Sequence, residues 1–204
     1  MQNTYPEFAL RRLAELLAGS EAQWVVGGST GLVLRGAKLE QAPRDLDVYA
    51  DQNVINDIHE RLKHDAVDGP EWSVTDRYRS ILSHYRIEDT VVELVGDFNV
   101  NAHDSSYDTR VEQWLFPNRD SANVHGYSIP LIPLAHELIF NLLRDRMDRA
   151  QVVGELMKQQ PDRHLPLLYE LLDRNEIAPS VAEIALQLTG TNNEQAAIHR
   201  ESSI

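Results

Sequence analysis

Gln23-Trp24-Val25-Val26-Gly27-Gly28-Ser29-Thr30-Gly31 is a short apolar run stopped by two glycines and a hydroxyl residue. Four apolar residues bounded by glycine read as a buried strand. Ser29 then suits the cap of a helix running to Leu34, with Gly36 at its end. Strand, glycine turn and helix start, in that order, make a seat for an anion. The glycines remove side-chain bulk, so backbone N–H groups approach closely, and the helix start adds its positive dipole end. Gly27, Gly28 and Ser29 are therefore candidate phosphate-binding residues, with a plain strand-to-helix turn as the other reading. The same letters match the G-x-S-x-G nucleophile elbow. Only 28 residues precede Ser29, however, enough for one helix and one strand and not for the sheet an esterase elbow needs. Gly31 to Lys38 resembles the start of a P-loop but lacks its Gly-Lys-Ser/Thr ending.

Downstream, Arg44-Asp45-Leu46-Asp47-Val48-Tyr49 alternates. As a strand it sets Leu46 and Val48 on one face and Asp45 and Asp47 on the other. Two carboxylates on one face of a strand can share a divalent ion, or simply face water. Glu93 is the one charge in Val91-Val92-Glu93-Leu94-Val95. A carboxylate among such neighbours is costly to bury without a cation or a hydrogen-bond partner. Beside the first strand it would bring three hard oxygen ligands to one patch, the set Mg2+ prefers. The wet face of an antiparallel sheet is the alternative for Glu93.

Around these motifs, apolar spacing predicts helices over 6–17 and 54–64, and strands over 72–75, 80–87, 90–95 and 127–132. Glu88-Asp89 turns between the second and third of those strands. Residues 97–123 are polar, with one possible helix near 111–115. From Pro133 the period becomes helical over 134–143, 152–157, 165–172 and 181–188. Mixed strands and helices followed by helices alone predict an α+β fold, with a mixed sheet flanked by helices and a helical subdomain behind it. The expected division is a core over 1–97, a connecting segment over 98–132 that completes it, helices over 133–188 and a loose tail over 189–204.

The chain has 204 residues, no cysteine and a net charge of -13. The length suits one domain, or a compact domain with a small appended one; the lack of cysteine excludes disulfides and thiolate metal sites, and fits a cytoplasmic location. The acidic balance argues against broad nucleic-acid binding. No signal peptide or apolar run of roughly 20 residues is visible, so a membrane role is not expected. The eight histidines show no His-Glu-x-x-His pattern.

Gly27-Gly28-Ser29, a helix, Asp45-Leu46-Asp47 and a later strand with Glu93 together resemble the DNA polymerase beta-like nucleotidyltransferases. The likeness spans roughly Gln23 to Val95 and looks closest to small bacterial stand-alone members, which include antibiotic adenylyltransferases and toxin–antitoxin enzymes. It implies transfer of a nucleoside monophosphate from a nucleoside triphosphate, ATP by analogy, to an acceptor hydroxyl or phosphate, with pyrophosphate released. It also implies two Mg2+ ions held by Asp45, Asp47 and Glu93, and triphosphate gripped by Gly27, Gly28 and Ser29. The acceptor stays open between a small molecule, a protein and a tRNA end; an acidic cleft suits a cationic small molecule. Gly126 to Pro133 followed by Glu137-Leu138-Ile139 is similar to a later passage of that family, whose members often carry lysines there. Here Asn141, Leu142 and Met147 stand near those places, Asp148 matches the acid, and Arg144, Arg146 and Arg149 are the available cations. A catalytically silent, antitoxin-like module on the same fold is the alternative function, and an esterase built on Ser29 a third. Oligomeric state is not readable.

Overall fold

The computed structural model describes residues 5–191, so the expected tail beyond Thr191 lies outside the described residues. The chain forms two compact units. One holds the residues up to Asn99 together with Asp108–Pro133, the other Val100–Tyr107 and the residues from Leu134 onward.

The first unit is built on a mixed sheet. The strands are β1 (Trp24–Val26), β2 (Asp45–Ala50), β3 (Glu71–Val74), β4 (Tyr78–Ile87), β5 (Thr90–Ala102), β6 (Ser105–Asp108), β7 (Asp120–Val124) and β8 (Tyr127–Leu131), of which the end of β5 and nearly all of β6 fall in the second unit. They lie in the order β3-β4-β5-β2-β1-β8-β7, with β6 paired to β5. β2 runs antiparallel to β1 and parallel to β5, so it is central. Helices α1 (Glu7–Leu17) and α3 (Gln52–Leu62) bury Leu10, Leu13 and Leu17, and Ile55, Ile58 and Leu62, in one core with Leu46, Val48, Val92 and Leu94. One face of β2 and β5 is thus spent on packing, which leaves Asp45, Asp47 and Glu93 on the other. Tyr85 is fully buried in the core; its hydroxyl is satisfied by His59 Nδ1 at 2.8 Å and Ser83 Oγ at 3.0 Å.

Residues 97–123, which read as polar and shapeless, carry the end of β5, all of β6 and most of β7. Their turns lack the Asn-Gly signature. His103 and Asp104 both take φ of 53°, and His125-Gly126 takes 50° and 89°, so ordinary residues occupy the left-handed region that tight hairpins require. The expected helix at 111–115 is a single π-helical turn, Val111–Leu115. It is pinned from a distance: Asp51 accepts the N–H groups of Val111 and Glu112, each at 2.8 Å. Asp51 stands at the start of α3 without capping it. Asp97 accepts the Gln52 N–H at 2.9 Å instead.

The second unit is helical. It holds α4 (Leu134–Leu143), α5 (Met147–Lys158), α6 (Pro161–Arg174) and α7 (Pro179–Leu188). All ten residues of α4 are buried, as expected for a helix apolar on every side. Its polar members are paired locally. Asn141 Nδ2 donates to the Glu137 carbonyl oxygen at 2.7 Å, and the His136 ring nitrogen Nδ1 lies 2.5 Å from the Tyr107 hydroxyl. Burial, with the Arg144 charge adding to it, pushes the His136 pKa down from the ordinary value to about 3. The unfolded chain therefore binds a proton here that the folded chain refuses. The resulting stability is full above about pH 6.5 and is lost as pH falls from there towards 3. Urea unfolding at pH 5 should give a stability about 2 kcal/mol below that at pH 7 from this residue. His136→Asn should flatten that part of the slope; an unchanged slope would show that His136 is protonated in the fold. No helix among the described residues is long and apolar enough to cross a membrane.

Candidate active site

β1 ends at Val26 and α2 (Gly28–Leu34) begins two residues later, with Gly27 at the cap position. The cap is therefore Gly27, not Ser29, and Ser29 lies in the first turn. Two hydrogen bonds fasten this turn to β2. The Gly27 N–H donates to the Asp47 carbonyl oxygen at 3.1 Å, and the Thr30 hydroxyl donates to the Asp45 carbonyl oxygen at 3.0 Å. The glycine turn and the aspartate strand are consequently one rigid piece. Gly28 takes φ +62°, and a Cβ there would stand 1.9 Å from Asp47 Oδ2. Only glycine allows the Asp47 carboxylate to rest against the turn in this way.

The other end of α2 is held by Arg35. Its guanidinium, 9% exposed, donates to the Gly31 carbonyl oxygen at 3.0 Å, to Asp120 Oδ2 at 3.1 and 3.3 Å, and to the Ile132 carbonyl oxygen. The Ile132 N–H in turn donates to the Val26 carbonyl oxygen at 2.9 Å. One side chain thus ties α2 to β7 and to the exit of β8. Sequence reading missed this role, because its partners are 85 and 97 residues away.

The register of β2 and β5 sets Asp47 directly opposite Glu93 and Asp45 opposite Val91. Paired residues of neighbouring strands share a face and stand one strand spacing, about 4.8 Å, apart. Asp45, Asp47 and Glu93 therefore lie on one face, each half-buried, while Leu46, Val48, Val92 and Leu94 fill the other. As placed, the side chains do not yet close on a single point. Among the described residues, no group of three or more His, Asp or Glu side chains is gathered to hold a metal ion. Gly27 is buried, and Gly28 and Ser29 are half-buried.

The arginines that stand where lysines were expected lie in the second unit and are engaged there. Arg146 forms a two-point pair with Asp148 at 3.2 and 3.3 Å, and Arg149 lies 3.8 Å from the same carboxylate. The hydrogen bond from Arg146, more than the other neighbours, holds the Asp148 carboxyl below the usual carboxylate range. Arg144 sits over the Phe140 ring, 4.9 Å from its centre.

Known proteins share this architecture. A candidate nucleotidyltransferase from Thermotoga maritima superposes with a TM-score of 0.58 at 22% identity, over 74% of this chain and 91% of that one. The antibiotic-resistance factor ANT(2'')-Ia, solved with adenylyl-2''-tobramycin, superposes with a TM-score of 0.52 at 8% identity, over 82% of this chain and 97% of that one. At these identities the likeness speaks for the fold. Among curated sequences there is no match. The family model of aminoglycoside-2''-adenylyltransferases matches residues 9–152, which include β1, the glycine turn, β2 and the Glu93 strand. The chain is therefore a member of the aminoglycoside-2''-adenylyltransferase family, and an enzyme of the nucleotidyltransferase class.

Proposed function

We propose that this chain transfers the nucleoside monophosphate of ATP to a hydroxyl of a small-molecule acceptor, with Mg2+ and with Asp45, Asp47 and Glu93 as the working carboxylates. The observation that carries the proposal is the pairing of Asp47 with Glu93 across β2 and β5, beside a glycine turn hydrogen-bonded to the same strand. The donor set fits the ion: three hard oxygen ligands on one face suit Mg2+, which also takes oxygens from substrate phosphates. Occupancy asks only that side chains already neighbours turn inward.

Asp45 and Asp47 would hold two Mg2+ ions, with Glu93 completing the set. Bound there, Mg2+ supplies charge neutralisation at the phosphates and lowers the pKa of the acceptor hydroxyl. The turn at Gly27, Gly28 and Ser29 seats the β- and γ-phosphates, with the Ser29 N–H and hydroxyl as donors while the Gly27 N–H stays bound to the Asp47 carbonyl oxygen. Glu93 stands on the acceptor side and takes up the hydroxyl proton. The acceptor oxygen forms a bond to the α-phosphorus, the bond from that phosphorus to the bridging oxygen breaks, and pyrophosphate departs. The rigid union of turn and strand contributes by fixing the phosphates against the acceptor.

The test is transfer of α-labelled ATP to tobramycin or another aminoglycoside in Mg2+ and again after chelation. Label should move in the first case and stop in the second. Undiminished transfer without divalent ions, or transfer unchanged in Asp47→Asn, refutes the metal assignment. Absence of any Mg2+-dependent nucleotide binding instead favours a silent module.

A further inference from the structure

β4 lies beside β5 on the side away from β2, and its own alternation decides what it adds to the site. Ile81, Tyr85 and Ile87 are buried in the core. His84 therefore faces the other way, towards the side that carries Asp45, Asp47 and Glu93. Its position along the strand follows from the hairpin. β4 ends at Ile87, β5 begins at Thr90, and a two-residue turn sets these opposite each other. Three residues back on one strand and three forward on the other, His84 falls opposite Glu93. A contact further along agrees: the Ile81 Cβ lies 3.4 Å from where a Gly96 Cβ would be, so the register does not slip between the two places. Asp47, Glu93 and His84 thus form a row across three strands, one strand spacing apart.

His84 is held firmly. Its backbone N–H donates to Asp68 Oδ1 at 2.6 Å, and its ring Nδ1 meets Asp68 Oδ2 at 2.7 Å. The Val67 N–H donates to the His84 carbonyl oxygen at 2.8 Å, which fixes the segment that carries Asp68. A carboxylate at Nδ1 keeps the proton on that nitrogen, so in the neutral ring it is Nε2 that presents a lone pair. The side chain remains 32% exposed, and its ring contact to Asp68 is made through Nδ1, on the other side of the ring from Nε2. Arg86 shares this face but stands opposite Val91 and is exposed.

We propose that His84 is an acceptor-binding residue, set by Asp68 so that Nε2 accepts a hydrogen bond from a hydroxyl or amine of the acceptor on the side of Glu93 away from Asp47. The proposal rests on the nucleotidyl-transfer reading above and names a residue that holds its acceptor. A lone pair at Nε2 beside the Glu93 carboxylate suits an O–H or N–H donor of that molecule. Asp68 is a positioning residue, since it acts only through the ring.

The experiment uses the full chain, Mg2+-ATP as donor and tobramycin as the probe acceptor, with His84→Ala, Asp68→Asn and the double variant. Nitrogen-15 spectra of the ring should show the proton on Nδ1, and tobramycin should shift the Nε2 resonance. The KM for tobramycin should rise about tenfold in either single variant and no further in the double, consistent with the loss of one hydrogen bond. The KM for ATP and the Tm should stay unchanged. Asp68→Asn donates to Nδ1 instead of accepting from it, so the tautomer inverts and the same loss appears with the ring still present. An unchanged tobramycin KM, a change that follows Tm, or equal changes for ATP and tobramycin overturns the proposal. So does a wild-type chain that binds Mg2+-ATP but not tobramycin, which leaves nucleotidyl transfer itself standing. Failure to bind Mg2+-ATP removes both.

Discussion

Gly28→Ala should leave the protein folded and cost at least about a hundredfold in nucleotidyl transfer, the scale of loss that a misplacement near 1 Å produces. Two constraints meet at this position. The backbone takes φ +62°, where an L side chain costs about 1–2 kcal/mol. The new Cβ would also stand 1.9 Å from Asp47 Oδ2 and 3.0 Å from its Cγ. The obstacle is the far end of a short side chain, so the fold can survive by turning the carboxylate away. That turn is what the chemistry cannot tolerate, because the displaced oxygen belongs to a proposed metal ligand. Gly31→Ala is the matched control. It lies in the same helix without a positive φ, and its Cβ would make only ordinary contacts, with the Val26 carbonyl oxygen at 3.4 Å and Arg35 Nη1 at 3.5 Å. It should change stability by less than about 1 kcal/mol and leave transfer intact. Equal activity in the two variants would show that Asp47 is not a working group.

Arg35→Met should lower unfolding stability by about 3–5 kcal/mol, the cost of stranding one partner of a buried pair. The side chains of Arg35 and Asp120 are 9% and 18% exposed, so solvent screens their interaction little. The substitution also takes a donor from the Gly31 and Ile132 carbonyl oxygens. Replacing both partners, Arg35→Met with Asp120→Leu, should recover a large part of the loss, because no uncompensated charge remains. Urea unfolding of the three variants decides it. A loss below about 1 kcal/mol in the single variant would mean that Asp120 finds water or another cation.

The sequence makes some of this site visible and hides the rest for definite reasons. Asp45 and Asp47 are legible because a strand has period two and Leu46 and Val48 mark the buried side. Glu93 is legible as one charge in an apolar run. Their pairing is not, since it depends on a parallel register between strands more than 40 residues apart. The same limit hides His84 and Asp68, which meet across 16 residues, and Arg35 with Asp120. Hydroxyl residues favour the cap, which points to Ser29; in the fold the cap falls two residues earlier, at Gly27, whose N–H is bound to β2. Residues 97–123 stayed unread because their strands are polar and their turns use His103-Asp104 and His125-Gly126. The helices from Leu134 onward were plain from their apolar period, although α5 starts at Met147, ahead of its first clear apolar repeat.

The parallel alignment of β2 with β5 also bears on how the protein folds. Parallel neighbours cannot be joined by a hairpin, and here the link runs through α3, β3 and β4. The entropy of closing that crossover must be spent before Glu93 reaches Asp47, whereas the glycine turn needs only the nearby β1–β2 pairing. The glycine turn is thus a low-contact-order feature and the carboxylate row a high-contact-order one. During refolding the turn should form while the row is still open, and a chain cut before β5 would keep both aspartates but never gain their third partner.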